Sequence, residues 1–277
     1  MLNKFFIEKH IKKALEEDIG FGDITTDYLT NEYDLMSCSL NSRVDGIFCG
    51  KTVFETVFEV LSDKIKINFY KNDGDIIKKG DRIADVKGPA RYILMGERTA
   101  LNYVQRMSGI ATETNKYQKA IGKYKAKIVD TRKTTPLFRA FEKYAVKTGG
   151  GSLHRFNLSD CAMIKDNHIK YAGSITRAVE KLSENISHAH KIEVECDNIE
   201  QVKEALNCNV DIIMLDNMDI ETMKECVELI NGKAIVEASG NVNLQTVGEI
   251  ASTGVDIISS SAIVAKAPTL DLGLDCI

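Results

Sequence analysis

The sequence predicts an α/β protein in two parts, an N-terminal α+β layer followed by a barrel of parallel strands. Three observations carry that prediction. From about residue 125 onward, short apolar strands mostly alternate with helical stretches at a period of roughly twenty residues, which implies parallel strands. Six of those strands place polar residues at their C-terminal ends, and a barrel brings all six ends to one mouth, which an open sheet does not. Before about residue 108 the texture differs, with short strands, tight turns and no such alternation.

In chain order, MLNKFFIEKHIKKALEEDIG is charged and helical in period, without the apolar centre of a signal peptide. A β-rich segment follows (CSLNSRVDGIFCG), then the helical TVFETVFEVL and the strand IKINFY. KNDGDIIKKGDRIADVKGPA reads as short strands, turned at Asp73-Gly74 and Lys79-Gly80. The amphipathic ILMGERTALNYVQRMSGIAT links the two parts. Beyond it the strands are KIVDT, AMIKD, KIEVEC, DIIMLDN, AIVEASG and DIISSSA. The clearest helices between them are LFRAFEKYAVK, SITRAVEKL, NIEQVKEAL, IETMKECVELI and NLQTVGEIAST, with Asn198, Asp219 and Asn243 as expected N-caps.

Composition narrows the function classes. A net charge of −4 argues against nucleic acid as the main partner. No window has the apolar length of a membrane helix, so a cytoplasmic location is expected. The seven cysteines form no CxxC pair and have no metal-ligand spacing with histidine, which predicts reduced thiols rather than a zinc site.

Residues 130–169 concentrate the chemistry. Arg132, Lys133, His154, Arg155, Lys165 and His168 are interleaved with apolar runs and the Gly149–Gly151 triplet. Cations beside buried strands are costly unless an anion meets them, so in an acidic chain this is a local pocket for a small, multiply anionic substrate. Arginine suits the carboxylate fork and lysine a point charge. His168, taken alone, favours a structural role. In KIEVEC, Glu193 and Glu195 share one strand face, toward the barrel interior or mouth, and Asp216 ends the next strand. Such carboxylates suit ribose hydroxyls or a Mg²⁺ carried by a pyrophosphate. The small, donor-rich ends EASGN and SSSA lie where barrels bind phosphate. A carboxylate pocket, a ribose and a phosphate together suggest ribosyl transfer.

The motifs DTRKTTP, EKYAV, GGGSLHR, IKDNHI, Val194-Glu195, LDN (215–217) and EASGN, with GDITT (22–26) and ERTALN (97–102), resemble the quinolinate phosphoribosyltransferase family, also called nicotinate-nucleotide pyrophosphorylase (carboxylating). The resemblance runs in order from about residue 14 to about residue 265. It implies an N-terminal α/β sandwich joined to an open, seven-stranded α/β barrel. The division is then residues 1–108, joined by the tail 267–277, and residues 109–266. Only six strands are legible, so the seventh is expected between 149 and 160.

The implied reaction takes quinolinate and phosphoribosyl pyrophosphate (PRPP), with Mg²⁺, to nicotinate mononucleotide, pyrophosphate and CO₂. Matched position by position, Arg132, Lys133, His154, Arg155 and Lys165 surround the quinolinate carboxylates, with Thr131 in the same pocket. Glu195 and Asp216 lie near the ribose and the metal-bound pyrophosphate, and the catalytic set is Lys133, Lys165, Glu195 and Asp216. Ser239, Gly240 and Asn241, with Ser260, Ser261 and Ala262, form the phosphate loops. Arg98 matches an arginine inserted from a neighbouring subunit, which implies a homodimer or hexamer. The chain departs from the family at Leu137 and Ser261, where glycine is common; at Ser261 a glycine-only φ would be strained. Two alternatives are a homologous transferase with another acceptor, of the molybdenum-transport-associated type, and a non-catalytic phosphosugar-binding barrel.

Overall fold

The computed structural model describes residues 2–276; Met1 and Ile277, at the ends of the expected first domain, lie outside them. The elements run α1 (Lys4–Ile19), α2 (Ile24–Leu29), β1 (Leu35–Ser42), β2 (Gly46–Ile47), α3 (Lys51–Leu61), β3 (Lys66–Phe69), β4 (Ile76–Ile77), β5 (Arg82–Pro89), α4 (Ala90–Ile121) and β6 (Lys127–Val129). They continue with α5 (Arg139–Thr148), β7 (Ala162–Ile164), α6 (Asp166–Ala172), α7 (Ile175–Ser183), β8 (Ile192–Cys196), α8 (Ile199–Asn207) and β9 (Ile212–Asp216). The last are α9 (Ile220–Ile230), β10 (Ile235–Ser239), α10 (Val247–Ser252), β11 (Ile257–Ser259), α11 (Ala262–Ala265) and β12 (Leu272–Cys276).

These elements sort into two compact units. The first takes the chain up to Asn115, Pro136–Gly150 and Ala267 onward; the second takes Lys116–Thr135 and Gly151–Lys266. In the first, an antiparallel sheet has the order β12-β1-β5-β3, and β2 pairs with β4. The C-terminal strand belongs here because Leu40 faces Leu274 and Ser42 faces Leu272 across the β1–β12 ladder. Its core is aromatic and aliphatic: Phe48, Phe54, Phe58, Ile83 and Ile93 are fully buried.

Helix α5 forms where the sequence predicts a helix, but it clusters with the first unit rather than following β6 onto the barrel. Polar contacts hold it. Glu142, wholly buried, accepts from Arg106 Nη2 of α4 at 2.9 Å, and the Tyr144 hydroxyl donates to Asp73 Oδ2 at 2.7 Å. A buried carboxylate needs such a partner, so the EKYAV motif is scaffold.

The second unit is a six-stranded parallel sheet of order β6-β11-β10-β9-β8-β7, in which β6 and β7 are unpaired with each other, so the barrel is open. The seventh strand expected between 149 and 160 is reduced to one parallel bridge, Val129 to Ser152, closed by the Ser152 N–H on Ile128 O at 2.8 Å. The reason lies two residues on: the His154 N–H donates to the Asp130 carboxylate at 2.8 Å, which turns the chain out of the ladder.

Asn198 and Asp219 cap α8 and α9 as expected. Asn243 does not cap α10 directly. Its side chain accepts from the Gln245 and Thr246 N–H groups, closing the turn that precedes the helix. Helix α6 was not legible as a helix. Its His168 accepts the Lys165 N–H on Nδ1 at 2.9 Å, a structural role. All seven cysteines are thiols. No helix among the described residues is long and apolar enough to cross a membrane.

Candidate active site

The sheet register decides what faces the mouth. Glu195, Met214 and Glu237 lie side by side across β8, β9 and β10, and Asp216 pairs with Ser239 two residues nearer the C-terminal ends. Because strand side chains alternate, Glu193 and Glu195 share a face, and so do Glu237 and Ser239. A cavity of about 750 Å³ opens over these ends. Of the site residues expected from the sequence, Thr131, Arg132, Lys133, His154, Arg155, Lys165, Glu195, Asp216, Ser239, Gly240, Asn241, Ser260, Ser261 and Ala262 all line it. Arg98 does not; it is exposed on α4 in the first unit.

At the cation side, the Thr131 hydroxyl accepts the Lys133 N–H at 3.0 Å, shaping the loop that leaves β6, where Arg132 and Lys133 are exposed. Arg155 is half-buried, its guanidinium donating to Cys161 O at 2.9 Å and touching Met163 Sδ. Those contacts aim a fork that keeps further N–H donors. Lys165 pairs with Glu195 across β7 and β8. Asp216 accepts from Asn217 Nδ2 at 2.8 Å, and no lysine or arginine among the described residues pairs with it.

His154 sits differently from the expectation. Its Nδ1 accepts the Arg155 N–H at 2.7 Å, while Nε2 lies 3.4 Å from Glu193 and 3.3 Å from Glu237, two buried carboxylates. Among the described residues no well-aligned hydrogen bond reaches Glu193 Oε1 and Oε2 or Glu237 Oε1, so His154 meets them as a close charge contact. Burial opposes a charge on His154, but the two carboxylates outweigh it and raise its pKa to about 10. Burial above all raises Glu193 as well. The Nδ1 contact and the two carboxylates at Nε2 together fix the orientation of the ring. The ligating atoms of this trio lie within 4.8 Å of one another. A nitrogen-containing, dry donor set suits Mg²⁺ poorly, whereas Glu195 and Asp216, carboxylates on the cavity wall, suit an ion that keeps its waters and a phosphate.

At the phosphate side, Gly240 takes φ +95°, and a Cβ there would stand 2.2 Å from Asn217 Oδ1. Only glycine fits. Ser260 is buried and its donors are used inside the protein: N–H to Val129 O at 3.1 Å and hydroxyl to Val242 O at 3.4 Å. Ser261 has φ −73°, an ordinary helical value, so the strain expected there is absent. It falls instead on Leu137, at φ +63°.

Met163, Met214, Val242 and Lys266 also line the cavity and were not singled out from the sequence, while Glu237, Asn217 and Ser259 fell inside the EASGN, LDN and SSSA motifs without being named as site residues. The period-2 spacing of Glu237 from Ser239 was the available signal for one of them; nothing local marked the methionines.

A model of the quinolinate phosphoribosyl transferase C-terminal domain matches residues 110–275, and one of the N-terminal domain matches residues 23–108. The chain belongs to the quinolinate phosphoribosyltransferase family. A family relative from Synechocystis, named probable nicotinate-nucleotide pyrophosphorylase [carboxylating], is 42% identical over 98% of this chain and 92% of its own. A similar relative from Bacillus subtilis is 39% identical over 99% and 94%. Among solved family structures, the nicotinate-nucleotide pyrophosphorylase from Francisella tularensis is 38% identical, with a TM-score of 0.96 over 100% of this chain and 98% of that one.

Proposed function

We propose that the chain transfers the phosphoribosyl group of PRPP to quinolinate with decarboxylation, giving nicotinate mononucleotide, pyrophosphate and CO₂, a step of NAD biosynthesis. One observation carries the proposal: a single cavity joins the cations Arg132, Lys133, Arg155 and Lys165 to the acids Glu195 and Asp216 and to the loops at 239–241 and 260–262. Membership of the family supports the same reading.

In this mechanism the cations bind the two carboxylates of the acceptor and hold its ring nitrogen toward ribose C1. His154, engaged by Glu193 and Glu237, contributes through Arg155 rather than as a free donor. Glu195 and Asp216 bind ribose hydroxyls and stabilise positive charge developing on the ring, while Lys133 and Lys165 help hold the acceptor in place for attack. Glu195 and Asp216 would also hold the Mg²⁺ that accompanies PRPP, which neutralises pyrophosphate charge. The C1–pyrophosphate bond breaks as the nitrogen attacks. The C2–carboxylate bond of the quaternised ring then breaks, its electron pair is accepted by the pyridinium, CO₂ leaves, and C2 takes a proton.

We further propose a homodimer or hexamer in which Arg98 reaches a neighbouring subunit's site, and a cytoplasmic enzyme, in keeping with seven reduced thiols. The test is an assay of purified protein with PRPP, Mg²⁺ and quinolinate, following nicotinate mononucleotide and CO₂, with nicotinate as a parallel acceptor. Product from quinolinate alone is expected. Folded protein that is silent with both acceptors, or that turns over a different acceptor, would overturn the proposal.

A further inference from the structure

Asn217, which follows the Asp216 carboxylate at the end of β9, is held in place from three sides. Its backbone takes φ +53°, the left-handed region. Its N–H donates to Ser239 O at 3.0 Å, and its side-chain Oδ1 accepts from Asn241 Nδ2, also at 3.0 Å. Gly240 lies against it so closely that a Cβ would meet the Asn217 backbone nitrogen at 2.8 Å. The remaining side-chain group, Nδ2, donates to Asp216 Oδ2 at 2.8 Å.

The orientation of an asparagine amide is set by its partners, because oxygen and nitrogen differ only in what they bond. Here Asn241 occupies the oxygen, so the amide can present only its NH₂ to Asp216. A flipped amide would place two acceptors together at Asp216 and two donors together at Asn241. The loop at 239–241 therefore dictates which face of the Asp216 carboxylate is occupied by protein and which is left to the cavity.

We infer that Asn217 is a positioning residue: it orients Asp216 for the phosphosugar substrate and couples that carboxylate to the 239–241 loop. This rests on the function proposed above and assigns Asn217 no contact with the reacting atoms. It predicts a split between the two substrates. Asp216 and the loop serve the phosphosugar, whereas the cations that meet the dicarboxylate come from the loop after β6, from residues 154–155 and from the end of β7.

The experiment is titration calorimetry of the full-length protein with PRPP plus Mg²⁺ and, separately, with quinolinate. The key variant is Asn217→Gly, since glycine accepts the left-handed backbone without strain while the amide is removed together with its methylene. Asn217→Asp is the near-isosteric second variant. It lacks the NH₂ donor and sets a like charge beside Asp216, so it reports on the same contact even where the glycine variant folds poorly. Expected is a loss of about tenfold in PRPP affinity for Asn217→Gly and a larger loss for Asn217→Asp, with quinolinate affinity held within about twofold. Unchanged PRPP affinity, or an equal fall for both ligands, would overturn the inference while leaving the proposed function standing. Wild-type protein that binds neither ligand would remove the proposed function and this inference with it.

Discussion

Leu137→Gly should make the protein more stable, against the usual direction of a mutation to glycine. Leu137 has φ +63° and is 88% exposed. A left-handed backbone costs a residue with a Cβ roughly 1–2 kcal/mol. Glycine removes that cost and adds about 0.5–1 kcal/mol of unfolded-chain entropy. An exposed side chain gives up little burial, so the net gain is about 0.5–1 kcal/mol. At ~2.1 cal/mol/K per residue this corresponds to a rise in Tm of roughly 1–3 °C. Leu137→Ala keeps the unfavourable φ and should stay within about 0.5 kcal/mol of wild type. Thermal unfolding of the three proteins side by side, followed by circular dichroism, measures this. With two compact units in the chain, the transition of the unit that holds Leu137 is the one to compare. A glycine variant no more stable than the alanine variant would refute the argument from backbone strain.

Other consequences can be tested alongside it. Arg155→Ala should lower kcat/KM for quinolinate at least about thirtyfold, the equivalent of ~2 kcal/mol of lost charge-assisted binding; a change under about threefold would remove Arg155 from the site. Gly240→Ala should reduce activity severely, because its Cβ meets Asn217 while φ stays at +95°; wild-type rates in that variant would show that the loop yields easily. Despite burial, the Glu193 and Glu237 carboxylates push the His154 pKa up to about 10, above the ordinary imidazole value of about 6.5, so its contribution to stability is complete below that lower value and is lost as pH rises toward the higher one. Denaturant midpoints should fall across that window, and Glu193→Gln, which removes one of the two carboxylates, should flatten the slope. An identical slope in the variant would place the proton elsewhere. Arg98→Ala mixed with Lys165→Ala should recover activity in hybrid assemblies; no recovery in demonstrably mixed assemblies would count against a shared site.

Much of the site was legible because strand chemistry is periodic. The alternation in KIEVEC put Glu193 and Glu195 on one face, and the register of β8, β9 and β10 brings that face to the cavity beside Glu237. The polar strand ends at Lys165, Glu195, Asp216 and Ser239 all line one cavity, as a barrel requires. Less legible was what each residue does there. His154 was expected among the ligands of the substrate carboxylates, but Glu193 and Glu237 converge on its Nε2 from two different strands, a relation that no local pattern records. Helix α5 carries a clear helical period, yet nothing in that period says which unit will bury it.

The two departures from the family pattern separate what sequence and tertiary structure each decide. The sequence alone determined that this is an α/β chain with a parallel barrel, that cations and acids gather at its strand ends, and which family it belongs to, because periodicity and motif spacing are local properties of the chain. It also marked Leu137 and Ser261 as unusual. Which of them is strained was decided by the fold: Ser261 falls at the start of α11 with a helical φ, whereas Leu137 lies in a turn that imposes the left-handed region. The seventh strand shrinks to one bridge for a similar reason, because Asp130 captures the His154 N–H from across the sheet edge. Backbone dihedrals and buried charge contacts depend on partners distant in sequence, and only the folded chain brings those partners together.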